Sequence, residues 1–109
     1  MLFRSLVIEQ GATFSSIVNV ADSYGTAINL YSYTANSQMR KSYYSSTAYT
    51  ITCDITGTAN GEITISMPAA NTANLSAGRY VYDLKITSPT SVVTRVVEGI
   101  VTVLPSATR

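Results

Sequence analysis

From Tyr80 to Ile86 every second residue is large and apolar, with Val81, Asp83 and Lys85 between Tyr80, Tyr82, Leu84 and Ile86. Alternate side chains of an extended chain point to opposite faces, so this run is a strand with one face in a core. The same period returns along the chain, and no window longer than two turns keeps a helical spacing of apolar residues. Phe14, Val18 and Val20 share a face, with Ser16 as a small filler, across a strand from Thr13 to Val20. Tyr33, Ala35, Ser37 and Met39 alternate with Thr34, Asn36, Gln38 and Arg40, and Tyr49, Ile51, Cys53 and Ile55 follow with the same spacing. Ile63, Ile65 and Met67 return from a connection ending in Asn60-Gly61 until Pro68, which has no amide N–H to donate, stops the ladder.

Between these runs stand turn signals. Asp22-Ser23-Tyr24-Gly25 reverses the chain, because Asp can bond its own backbone and Gly tolerates positive φ. Ser42 to Thr47 has no apolar alternation and reads as a loop. Residues 69–77 have short-helix character, with a helical turn near 70–77: Asn71 or Thr72 can cap it, Ala73 and Leu75 fall near the core, and Gly78 terminates it. The last strand runs from Val92 to Val103, and Gly99 inside it marks a bulge or a close backbone approach. Seven or eight short strands with one brief helix predict an all-β, two-sheet antiparallel sandwich of immunoglobulin-like or related topology, with a small closed barrel as the alternative. Phe14, Ile51, Ile65, Tyr80, Tyr82, Leu84 and Ile86 are its expected core.

With 109 residues, no internal repeat and no linker-like stretch, the chain reads as a single domain, 1–109. Composition narrows the chemistry. Seven Lys and Arg against six Asp and Glu leave a net charge of +1, too little for the counterion release that sequence-independent nucleic-acid binding requires. The absence of His removes the commonest general base and metal ligand, and one Cys makes neither an internal disulfide nor a thiolate zinc site. No cofactor is expected. Charged residues are only 12% of the chain, so Ser and Thr hydroxyls solubilise the surface, as in many secreted β-proteins and virion parts. No stretch approaches a membrane span and Met1 to Ser5 has no apolar signal core, which predicts folding in a cytoplasm, where a lone Cys53 stays reduced.

Four segments carry a resemblance: Asp22 to Leu30; Tyr33-Thr34-Ala35 with Gln38-Met39-Arg40; Leu75 to Asp83; and Arg95-Val96-Val97-Glu98-Gly99 leading to Val103. Together they resemble small virion structural proteins of tailed bacteriophages, marine and cyanobacterial ones above all, related to the β-sandwich modules of baseplate upper proteins and tail-fibre adaptors. The resemblance covers about four fifths of the chain. It implies a non-enzymatic virion protein, made in the host cytoplasm, that acts through repeated contacts with other virion proteins and copies of itself. A tail, baseplate or fibre adaptor is the leading expectation, a capsid decoration protein the alternative, and a host-surface carbohydrate-binding module a more distant one. Nucleic acid and membrane are not expected partners.

Candidate contact residues follow from the pattern. Leu6-Val7-Ile8 are consecutive apolar residues and so point to both faces of a strand, one toward the domain's own core and one toward something outside. Leu2 and Phe3 add apolar surface beside them. Residues 1–8 are therefore expected to form an edge strand docked on a neighbouring subunit, with Leu2, Phe3 and Val7 in contact. Arg79, Asp83, Arg95 and Glu98 fall on neighbouring late strands and form either a solvated ion-pair cluster or a recognition patch in which Arg offers bidentate geometry. Tyr43 and Tyr44, with Tyr24 and Tyr31, either cover the ends of the sandwich or present an aromatic surface to a protein, or less readily to a glycan. Asp54 and Glu62 flank the central hairpin and are read as solvated carboxylates rather than an acid/base pair. Cys53, without a His to activate it, reads as a small buried apolar residue.

Overall fold

A computed structural model describes residues 2–21 and 24–107, with only the backbone of Leu2. Eight strands follow one another as β1 (Leu2–Phe3), β2 (Leu6–Glu9), β3 (Phe14–Asn19), β4 (Thr34–Arg40), β5 (Tyr49–Gly57), β6 (Glu62–Met67), β7 (Gly78–Thr87) and β8 (Val93–Leu104). A 3-10 turn spans Thr58–Asn60, and one α-helical turn, α1, spans Ala69–Thr72. The strands form one mixed sheet in the order β1, β8, β7, β4, β5, β6, β3, with β2 also on β8. β1 and β2 keep the same parallel register on β8, Phe3 opposite Glu98 and Leu6 opposite Val101, so they are two pieces of one edge.

The chain is thus nearly all-β, but a pair of separate antiparallel sheets does not describe it. β5 pairs with β4 through Tyr49–Ile51 and then with β6 from Thr52 onward, so one strand belongs to both halves and bends the sheet around on itself. The two ends of the strand order then come close. The Arg4 guanidinium reaches across to Ile17 O at 2.6 Å and Ser16 Oγ at 2.8 Å on β3. The result is a nearly closed barrel with a seam between β2 and β3. The parallel pairing of β1 and β2 with β8 also departs from the all-antiparallel expectation. It joins the first strand to the last, which turns and alternation cannot specify.

The interior is continuous. Phe14, Ile51, Ile65, Tyr80, Tyr82, Leu84 and Ile86 are all buried, together with Leu6, Ile8, Val18, Met39, Ile63, Val97, Val101 and Val103. Tyr80 and Tyr49 meet edge to face at 6.0 Å, and the Lys41 ammonium lies 4.3 Å from the centre of the Tyr80 ring. Both buried tyrosine hydroxyls find main-chain acceptors: Tyr80 donates to Ser76 O, four residues back at the corner into β7, and Tyr82 to Arg4 O.

The helix is shorter than its sequence suggests. Pro68 follows the end of β6 in extended backbone and stands as the N-cap of α1, where it has no N–H to satisfy. Neither Asn71 nor Thr72 caps it. Thr72 instead is fully buried, its single O–H shared between Ala12 O at 2.8 Å and Ala69 O at 3.1 Å, while Leu75 enters the core and Ala73 stays exposed. The reversal expected at residues 22–25 falls partly on Asp22 and Ser23, outside the described residues; the Ala21–Ala27 bridge that flanks it brings the chain back on itself.

Candidate interaction face

β8 places Val97, Val101 and Val103 in the core, so Glu98, Ile100, Thr102 and Leu104 must face outward. The neighbouring edge does the same with Leu6 and Ile8 inward and Phe3, Val7 and Glu9 outward. Register then decides who meets whom. Val7 lies opposite Thr102, on the diagonals to Ile100 and Leu104, and Phe3 lies on the diagonal to Ile100, which is itself opposite Val81 on β7. Across the seam, β3 turns Ile17 outward. Phe3 (64% exposed), Val7 (57%), Leu104 (42%) and Ile100 (37%) therefore face outward together on β1, β2 and β8, and Ile17 (50%) faces outward across the seam on β3.

Two features hold that edge in place. Gly99 lets the Arg4 carbonyl approach β8 so closely that a Cβ at this position would fall on it, which is the close backbone approach expected of a glycine inside a strand. The same carbonyl accepts the Tyr82 hydroxyl at 2.6 Å. Burial pushes the Tyr82 pKa up to about 12, against the lowering effect of the nearby Arg4 guanidinium. The hydroxyl thus stays a donor throughout the neutral range.

Beside the apolar stripe lies a polar groove of about 290 Å³ on the same outer face, lined by Gln38, Arg40, Tyr43, Asp83, Lys85 and Arg95 among others. Arg95 pairs with Asp83 at 3.4 Å and with Glu98 at 3.5 Å. Its own side chain is 40% exposed, so these pairs orient it more than they stabilise the fold. Arg79 is opposite Thr102, at the other end of β7 from this cluster. Phe3, Val7, Tyr43, Arg79, Arg95 and Glu98 therefore reach one broad outer face from three parts of the sequence. Tyr44 is 99% exposed, and the side chain of Leu2 lies outside the described residues. Ile17, Ile100 and Leu104 escaped the sequence reading. Their signal was present, since each falls out of phase with the inward residues of its own strand.

The groups considered for chemistry are not assembled. Asp54 is opposite Thr64, whereas Glu62 is opposite Gly57 and accepts from Thr56 Oγ1 at 2.8 Å, so a Thr56–Thr64 contact stands between the two carboxylates. Cys53 is half-buried rather than fully buried. Burial, with help from Asp54, pushes its thiol up to about 11, away from the thiolate form. Among the described residues no three His, Cys, Asp or Glu side chains gather as a metal site, and no helix is long and apolar enough to cross a membrane. Neither the family models nor the curated proteins compared with this chain match it.

Proposed function

We propose that this chain is a non-enzymatic structural protein of a tailed bacteriophage virion, held in a tail, baseplate or fibre adaptor by contacts repeated around a symmetric assembly. The observation that supports this reading is the set of exposed apolar side chains Phe3, Val7, Ile100 and Leu104 on the outer face of β1, β2 and β8, with Ile17 across the seam on β3. Covering these side chains at ~25 cal/mol per Å² contributes a few kcal/mol per copy, and symmetry multiplies a modest contact into a durable one. The polar groove with Arg95 gives the same face a register-setting, charged border. The sequence resemblance supplies the virion context.

The test is a variant carrying Phe3→Ser, Val7→Ser and Ile100→Ser, supplied during infection in place of the original. Its melting temperature stays close to that of the parent, because all three side chains face outward, while its recovery in purified particles falls at least tenfold. Undiminished recovery overturns the reading, as does absence of the original protein from the particles. Immunogold labelling over the capsid shell, instead of the tail, selects the decoration role.

A further inference from the structure

Charge is shared unevenly between the two halves of this sheet. On β4, β7 and β8 the outward positions include the cations Arg40, Arg79, Lys85 and Arg95, against two carboxylates, Asp83 and Glu98. On β5, β6 and β3 they include Asp54 and Glu62 and no cation. β7 and β6 are the middle strands of these two faces and stand three places apart in the strand order, so in a nearly closed barrel the faces look away from each other. Of the other described ions, Arg4 and Glu9 lie on the N-terminal edge between the faces and offset each other, and Lys41, just past β4, lies over the Tyr80 ring.

Most of these groups lack a partner of opposite charge within the chain. Asp83 and Glu98 both pair with Arg95, at 3.4 Å and 3.5 Å. Arg40 donates to Ser45 O at 2.5 Å and to Gln38 Oε1 at 3.3 Å, and neither acceptor is charged. Arg79, Lys85 and Asp54 are exposed and make no ion pair among the described residues, and Glu62 accepts from the Thr56 hydroxyl. The two unpaired sets also match in spacing. Arg40 is opposite Val81, two residues from Arg79, and Asp54 is opposite Thr64, two residues from Glu62. Each pair is thus a cross-strand diagonal, roughly 7–8 Å across. Around the two carboxylates the outward residues Ser15, Thr52, Thr56, Thr64 and Ser66 are short, which leaves room for long Arg side chains to reach in. Each face also carries an exposed isoleucine, Ile100 on the basic one and Ile17 on the acidic one.

We propose that the basic face of β4, β7 and β8 docks on the acidic face of β5, β6 and β3 of a second copy of this chain, with Arg40 and Arg79 meeting Asp54 and Glu62. The inference rests on the reading of the chain as an assembly protein and names the partner and the two faces in contact. Like faces repel, which disfavours a two-fold dimer through either one, whereas unlike faces attract in head-to-tail order. One copy cannot satisfy itself, because its two faces look away from each other. Arg presents paired N–H donors to a carboxylate, so each contact fixes orientation as well as attraction. A docked pair still has one free face of each sign, and successive contacts of this kind close into a ring when the rotation between copies divides a full turn.

Sedimentation velocity tests this on the intact protein, at one protein concentration in about 50 mM and about 0.5 M salt, between which the screening length falls roughly threefold. The association constant is expected to be at least tenfold higher in the lower salt. Asp54→Lys with Glu62→Lys, and separately Arg79→Glu with Lys85→Glu, each lower it at least tenfold while the melting temperature stays close to that of the parent, because all four side chains face outward. An equimolar mixture of the two variants associates again, since the intact basic face of one meets the intact acidic face of the other. If the doubly substituted acidic face fails to fold, Asp54→Lys alone takes its place, because Asp54 has no side-chain hydrogen bond or ion pair among the described residues to lose. Association that survives high salt or either reversal, a mixture as inert as its components, or a parent that stays monomeric in low salt overturns the head-to-tail contact. A monomeric parent that still enters particles, and is lost from them through Phe3→Ser, Val7→Ser and Ile100→Ser, overturns this contact while keeping the assembly reading.

Discussion

Tyr82 is buried for its ring and tied down by its hydroxyl, and these two facts set a pH limit on the fold. Its pKa rises from 10.0 to about 12, chiefly through burial. A raised folded pKa means that the stabilisation is complete below the unfolded value and is lost as pH climbs through the folded one, here between about 10 and 12. The melting temperature, followed by circular dichroism across that range, is expected to fall steeply. Tyr82→Phe is expected to begin about 1–2 kcal/mol less stable at neutral pH, since Arg4 O loses its donor, and to fall less steeply above pH 10. A residual slope from pH 9 upward belongs to Cys53 and Tyr80, whose thiol and hydroxyl are also raised, chiefly by burial. An unchanged slope in Tyr82→Phe refutes the assignment. Alternation in the sequence was enough to place the Tyr82 ring inside. Its acceptor, 78 positions away in sequence, was not legible there, because a hydrogen bond between chain-distant groups depends on how strands stack and not on either segment's composition.

At the scale of elements, β7 tests the register. Leu84 is fully buried opposite Val97 on one side and Ser37 on the other, whereas Lys85 is exposed. Leu84→Asp places an unpaired carboxylate in the core and is expected to abolish cooperative unfolding in urea, whereas Lys85→Asp stays within about 1 kcal/mol of the parent. Equal outcomes refute the register. Strand existence was readable because period two needs only local sequence. The lower limit of α1 was less so: propensity admitted a longer helix over 69–77, but Thr72 is drawn inward to Ala12 O and the chain extends into β7 from Gly78. The double role of β5 could not be read either. Its nine residues alternate uniformly, and nothing in that pattern records a change of partner midway.

At the scale of the whole molecule, the first strand completes the edge of the last, so the fold closes only when both ends of the chain are in place. Gly99 is the point of closest approach. Gly99→Ala sets a methyl group against the Arg4 carbonyl and is expected to cost about 1–3 kcal/mol by urea titration, with faster hydrogen exchange at Leu6 and Ile8, whose amides face β8. Stability equal to the parent with unchanged exchange at those amides refutes the close approach.

By itself the sequence determined the all-β class, most strand positions, the inward set from Phe14 to Ile86 and the apolar excess of the N-terminal segment, because each follows from side-chain alternation within one extended run. The mixed sheet, the seam and the gathering of Phe3, Ile100 and Arg95 on one outer face were decided only by the tertiary structure. Those features depend on which strands become neighbours, and strand pairing is a contest among long-range closures that share the same local pattern.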